Sequence, residues 1–324
     1  MPDRSNITLV PDAGVLGNER PSLSRARTRR SVGEQAIKVL LAAAALVSVL
    51  TTTGIVVSLV TEAVLFFRQV PVTDFYFGTQ WSPLAGGGQQ SFGVLPLIWS
   101  TLYLTLVGLA VAIPLGLGVG IYLAEYASTR VRRVLKPIVE VLAGIPTIVF
   151  GFFALTFFTP NVLQDLLSID VGVFNGLSAG IVLGILVLPT IASVSEDALS
   201  SVPASLREGA FGLGAAKRQV VLRVVFPAAL SGIVAALVLG ASRAIGETVV
   251  ILVAAGNAPN LSLDLTESHQ NMAAFIANVA RSDVSQGGVQ FLTIFAVGAT
   301  LFVMTLVLNL IAIRIVRRYR QVYE

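Results

Sequence analysis

Six runs of apolar residues, near 38–67, 95–124, 134–159, 176–199, 220–255 and 289–314, set the terms on which this chain can fold. Each is long enough, at about 20 residues or more, to cross a bilayer as a helix. Charged residues make up only 12% of the chain and mean hydropathy is +0.82, where a soluble domain carries about 25% charge. The composition excludes an ordinary soluble domain and predicts an all-α polytopic membrane protein with six transmembrane helices. Zero cysteines rule out disulfides, thiolate metal sites and thiol catalysis. The single histidine, His269, leaves no room for a multi-histidine metal centre.

The charges between the runs sort by side. Arg4, Arg20, Arg25, Arg27, Arg29, Arg30 and Lys38 precede or open the first span. Arg130, Arg132, Arg133 and Lys136 lie between the second and third. Arg207, Lys217, Arg218 and Arg223 lie between the fourth and fifth, and Arg314, Arg317, Arg318 and Arg320 close the chain. Only Arg68, Arg281 and Arg243 fall elsewhere, so the positive-inside rule puts both termini in the cytoplasm. The basic pI of 9.7 is then a consequence of topology, and nucleic-acid binding loses its support. Residues 1–33, polar and without periodicity, are expected to be a disordered cytoplasmic tail. The permease-sized body covers 34–319, and 320–324 form a short cytoplasmic end. The first apolar stretch is too long for a signal-peptide core and lacks a cleavage site, so it is expected to be retained.

Prolines interrupt the spans in VAIPLGLGVGIYLAEY (111–126), LAGIPTIVFGFF (142–153) and LGILVLPTIASVSEDAL (183–199). Each frees a backbone carbonyl one turn earlier, which is tolerated where neighbouring helices or a wet cavity satisfy it. Gly116, Gly118 and Gly120 permit close helix approach. Such interruptions in a polytopic chain point to a moving, cavity-bearing machine.

The segment SVPASLREGAFGLGAAKRQVVLRVVFPAAL (201–230), within a loop taken as 200–223 before the fifth span, has its own pattern. Ser205 and Glu208 fit a capping box, with the short helix ending at Gly212 or Gly214. Glu208-Gly209-Ala210, then Gly214, then Val224-Val225-Phe226-Pro227 resembles, at full spacing, the cytoplasmic E-A-A motif of ABC-importer permeases. It departs at Gly209, Val224 and Phe226, where small or apolar character is kept. In that family the loop docks on the ATPase subunit, so the resemblance implies that Glu208, Gly209, Ala210, Gly214 and Pro227 belong to an ATPase-coupling element. No phosphate-binding G-x-x-x-x-G-K-[ST] loop is present. The chain itself is expected to be non-enzymatic and to bind no cofactor, with ATP-Mg held by partner subunits.

The segments AGIPTIVFGFFAL (143–155), LPTIASVSEDAL (188–199) and ASRAIGETVVILVAAG (241–256) resemble the permeases of bacterial phosphate importers, over roughly residues 38–318. The external DFYFGTQWSP (74–83) is more similar to the first of their two permease subunits, the PstC type. The resemblance implies a type I ABC importer permease (MetI-like) fold in the cell inner membrane and inorganic phosphate as substrate. It also implies as partners a second permease subunit, two ATPase subunits and an extracytoplasmic phosphate-binding protein. The family's transport-linked arginine and glutamate map onto Arg243 and Glu247.

Those two residues also stand out on physical grounds. An arginine at mid-bilayer costs about 2.5–3.5 kcal/mol on insertion scales, so something must offset or use it. At i and i+4 of a continuous helix the two share a face and can pair. The guanidinium fork suits phosphate oxygens, with Glu247 tuning its hold; a buried structural ion pair is the alternative. Thr147, Thr190 and Thr248 are neutral donors near the path, or ordinary packing residues. Glu125 and Glu140 read as interfacial, Glu196 and Asp197 as interfacial or as anchors for the loop through Arg207. His269 and Trp81 lie in external loops that are either ordinary capped loops or contacts for a binding protein. Arginine recognises many oxyanions, so sulfate or molybdate remains an alternative substrate. A secondary anion transporter is a further alternative; an intramembrane enzyme would need H-E-x-x-H or G-x-S-x-G, which are absent.

Overall fold

The computed structural model describes residues 30–319 apart from Gly87. Most of the expected tail and the end at 320–324 lie outside the described residues. Helix starts at Arg30, inside the stretch expected to be tail. The described residues divide into two units between Ile55 and Val56, and helix α1 (Arg30–Phe67) contributes to both.

In the first unit, Ile37, Val39, Leu40, Leu46 and Val47 are exposed around the helix. A helix that is apolar all round suits a membrane span. The Thr51 and Thr52 hydroxyls donate to the carbonyls one turn back, Val47 and Ser48, so neither hydroxyl is left unsatisfied in lipid.

In the second unit, α2 (Val72–Phe77) and a two-stranded hairpin, β1 (Trp81–Ser82) with β2 (Ser91–Phe92), precede α3 (Leu95–Ile121). A π-helical turn, Tyr122–Tyr126, extends α3. Then come α4 (Thr129–Ala143), α5 (Thr147–Phe153) with a π-helical extension to Leu166, and α6 (Gly176–Ser200). The loop helix α7 (Ala204–Gly212) leads through α8 (Lys217–Val220), a π turn and α9 (Phe226–Ala228) to α10 (Leu230–Ile245). Last are α11 (Val249–Ala254), α12 (Met272–Ala280) and α13 (Val289–Tyr319). Among the described residues five helices are long and apolar enough to span, and six if Lys217–Ala228 and Leu230–Ile245, bent by 71°, count as one.

The pairing of α3 with α6 is the most extensive contact in the fold. Small residues make it possible. A Cβ on Gly184 would lie 2.6 Å from the Gly108 carbonyl and 2.8 Å from Val111 Cβ, so the backbones meet directly. Gly116 and Gly120 abut Ile191 and Ala192 in the same way, whereas Gly118 faces open space and takes no part. A separate aromatic cluster joins Phe66, Phe75, Trp81, Met272 and Phe275 near the hairpin. Trp81 is therefore a core residue rather than a free external contact.

The third span differs from expectation. Residues 134–143 belong to α4, an amphipathic helix, and the apolar helix of spanning length is Thr147–Leu166. Pro146 causes the division: it offers no amide and disfavours helix at the residue before it. The polar face of α4 is pinned instead. Arg132 and Lys136 both donate to the fully buried Glu196 of α6, and Lys136 also to Asp197 at 2.7 Å. The carboxylates of Asp197 and Glu196 hold the Lys136 ammonium above its ordinary pKa. Glu196 and Asp197 thus anchor α4, not the loop through Arg207.

Replacing Gly184 by Ala should destabilise the protein by about 1–3 kcal/mol, because the new methyl overlaps backbone that cannot rotate away. Gly118→Ala should be neutral or stabilising by up to about 1 kcal/mol. Thermal unfolding of the two detergent-solubilised variants checks the contrast.

Candidate functional site

The fifth span is not one helix. Helix α10 ends at Ile245, and the chain leaves helical pairing at Gly246–Thr248 before α11 starts at Val249. Arg243 lies in the last turn of α10, where a cation complements the carbonyl end of the helix. Because the helix stops two residues later, the expected i, i+4 pairing of Arg243 with Glu247 does not form. Half-buried Arg243 donates from Nη1 to Thr190 Oγ1 of α6 at 3.0 Å.

Glu247, only 8% exposed, is engaged elsewhere. Its Oε1 accepts from the amides of Val249 at 3.0 Å and Val250 at 3.2 Å. A carboxylate here satisfies the otherwise orphaned donors of α11. The Glu247 carbonyl, released by the break, accepts from Asn271 Nδ2 at 2.9 Å. Buried Asn271 also caps α12, its Oδ1 accepting from the Ala274 amide at 2.8 Å. Two side chains thus carry the polar cost of interrupting a span.

The flanking threonines are less engaged. Thr248 Oγ1 donates to the Gly246 carbonyl at 3.3 Å, within the break. Half-buried Thr147 opens α5. Helix α5 packs on α11, a Cβ on Gly151 falling 3.0 Å from Val253 Cβ, so both threonines stand at the starts of helices that touch. Thr190, an uncommitted hydroxyl in the sequence, is the residue that meets the guanidinium.

The motif-bearing loop is also assembled differently from its sequence pattern. Helix α7 begins at Ala204 after Pro203, with no side-chain cap. Ser205 lies inside the helix, so the capping box is absent: Pro203 sets the entry angle and needs no amide partner. The helix ends at Gly212, and Gly214 takes φ +79°, a left-handed turn that glycine adopts without strain. Glu208, Gly209 and Gly214 are exposed, Ala210 is half-buried, and Pro227 is exposed on α9. Beside them Phe211 is 47% and Leu213 91% exposed. The loop therefore presents a carboxylate and two apolar side chains outward from a helix-turn, a surface fit for a protein partner.

At the other end, His269 is fully buried rather than exposed. Its Nε2 lies 2.9 Å from the Asp264 carbonyl, and Tyr103 and Trp99 donate to the carbonyls of Leu263 and Ser262. Tyr103 and Trp99 tie the 256–271 loop to α3, and His269 braces the loop from within. The Thr266 hydroxyl and amide, donating to Asp264, hold that carboxyl below its ordinary pKa.

Chemically, a half-buried guanidinium with one neutral partner keeps donors for an oxyanion, while the neighbouring carboxylate is held by backbone. Neither the cleft of about 440 Å³ lined by Gln69, Asp74 and Gln90 nor that of about 500 Å³ lined by Trp81 and Asn278 includes Arg243.

Residues 116–321 match the family described as binding-protein-dependent transport system inner membrane component. The chain is 32% identical over 289 residues to a probable ABC transporter permease, YqgH, of Bacillus subtilis, covering 87% of this chain and 91% of that one. It is 32% identical over 265 residues to the phosphate transport system permease PstC of Haemophilus influenzae, covering 76% and 82%. Among solved structures it resembles a chain of a bacterial ABC transporter that imports the acidic polysaccharide alginate. That likeness has TM-score 0.62 and 18% identity, over 90% of this chain and all of the other. A chain of the MetNI methionine transporter aligns with TM-score 0.57 and 21% identity, over 70% and 96%.

If Glu247 acts on the backbone as a cap, charge and capping are separable. Glu247→Ala should cost about 0.5–2 kcal/mol, whereas Glu247→Gln, which keeps an acceptor oxygen, should cost less than about 1 kcal/mol. Thermal unfolding in detergent reads the difference; equal losses would exclude the capping role.

Proposed function

Because the chain belongs to the binding-protein-dependent inner-membrane permeases, in their PstC-type phosphate branch, we propose that Arg243 supplies the anion contact on its part of an inorganic phosphate path. The chain is a multi-pass membrane protein with the type I importer permease fold and acts as the permease subunit of a phosphate ABC importer. It associates with ATPase and substrate-binding components.

The observation that carries the role of Arg243 is its release from Glu247. A guanidinium closed in a bidentate ion pair has few donors left for substrate, and a bare one holds an anion tightly. Thr190 accepts one N–H without cancelling the charge. Glu247 is held by the Val249 and Val250 amides, so it does not close on the guanidinium. Thr147 and Thr248 add neutral hydroxyls at the starts of α5 and α11, the helices packed beside the break.

The path requires a second wall, supplied in this proposal by a second permease subunit. The loop with Glu208, Gly209, Ala210, Gly214 and Pro227 faces one of two ATPase subunits, which hold ATP-Mg, and both termini lie on that cytoplasmic side. The basic residues at that end of the helices support this orientation. On the opposite side, an extracytoplasmic binding protein delivers phosphate to the hairpin and the 256–271 loop.

In proteoliposomes containing the whole complex, Arg243→Lys should lower phosphate uptake about tenfold or more. That corresponds to loss of a charge-assisted hydrogen bond worth about 1.5–3 kcal/mol. Glu247→Gln should change uptake with little change in stability. Normal uptake by both variants at normal membrane abundance excludes the path role, and competition by sulfate or molybdate at equal strength excludes phosphate selectivity.

A further inference from the structure

The loop helix α7 is loosely packed but firmly tied at one residue. None of its residues is buried, and a Cβ on Gly209 or Gly212 would meet nothing within 4 Å. Leu206 and Ala210 rest against the small cluster around Leu199, Val202 and Val225. The polar connection is Arg207, four-fifths buried. Its Nε and Nη2 donate to Glu125 Oε1 at 3.1 and 2.8 Å. Its Nη2 also donates to the Leu199 carbonyl at 2.8 Å and its Nη1 to the Val202 carbonyl at 2.5 Å. One guanidinium thus joins α7, the π turn that ends α3 and the last turn of α6.

Each receiving group is itself mechanically placed. The carbonyls near the end of α6 lack partners within the helix, so Arg207 serves as their cap. Glu125, 9% exposed, sits in the π turn Tyr122–Tyr126, a wider-wound segment of the kind that often marks functional positions. The far side of the loop grips the same turn: Lys217 Nζ stands 4.9 Å from the centroid of the Tyr126 ring. Further along α6, Thr190 holds Arg243. Helix α6 therefore has Arg207 at one end and the Arg243 contact about 13 Å up its axis, at 1.5 Å per residue.

We propose that Arg207 is the positioning residue that transmits movement of the loop helix to α3 and α6, with Glu125 as its receiving carboxylate. The inference rests on the reading of the loop as the ATPase-coupling element. A push or pull on α7 reaches the bundle through this fork, because the other α7 contacts with it, among the described residues, are the partial packing of Leu206 and Ala210. The planar fork matters as much as the charge, since it reaches two helices at once.

The test uses the whole complex in proteoliposomes and measures inorganic phosphate imported per ATP hydrolysed. Glu125→Gln should leave copurification of the ATPase intact and lower imported phosphate per ATP about fivefold or more. Arg207→Lys should give a smaller fall, and Arg218→Gln, on the same loop, none. An unchanged ratio in both Glu125→Gln and Arg207→Lys overturns the proposal, as does a fall in uptake that merely follows lost ATPase. A second readout does not depend on the substrate. The chain has no cysteine, so Val194→Cys reports on α6 alone through maleimide labelling. Trapping nucleotide with vanadate should alter that labelling in the otherwise unaltered complex and not beside Glu125→Gln. The same alteration in both, or none in either, overturns the proposal even if phosphate proves to be the wrong substrate.

Discussion

The close approach of α3 and α6 is the constraint on which the other placements depend. Gly184 meets the Gly108 carbonyl directly, and Gly116 and Gly120 admit Ile191 and Ala192. Lipid gives little hydrophobic drive for helices to associate, so contact distance decides their stability. With this pair fixed, α6 becomes the axis to which other elements attach. Glu196 receives α4 through Arg132 and Lys136, Arg207 grips its last turn, and Thr190 meets Arg243. Three cationic side chains on two elements, α4 and α7, converge on groups of one helix, and a fourth, from α10, reaches it through a hydroxyl.

The polar groups divide into two kinds of work. Glu196, Glu125 and Asp197 accept from cations and bind elements together at the basic end. Glu247 and Asn271 accept from and donate to backbone, which lets a span break without leaving buried donors and acceptors unmet. The first kind resists separation of helices. The second permits a bend inside one.

Much of this was legible in the residues and some was not. Long apolar runs identify α3, α6 and α13 within a few residues and the end of α1, because span length is a property of composition. The loop motif marks α7 and the turn at Gly214, because glycine and proline act locally. Pairing failed where a helix was assumed to continue: Arg243 and Glu247 share a face only if Gly246 is helical, and it ends the helix instead. Arg207 and Glu125 lie 82 positions apart, beyond any spacing rule, and Glu196, which the sequence presents as interfacial or as an anchor for the loop, is fully buried and anchors α4. Asn271 carried a usable sign, an asparagine just before an apolar helix, but its second bond to the broken span depends on the tertiary fold.

The cap formed by Glu247 ties two properties that most buried carboxylates keep separate. Its oxygen is committed to the peptide N–H groups that begin α11. That oxygen cannot turn toward a nearby cation without loosening the first turn of the helix, and the first turn cannot unwind without freeing a negative charge. At this break a change in electrostatics is also a change in backbone shape, so a charge arriving beside it has a direct handle on the length of helix that follows.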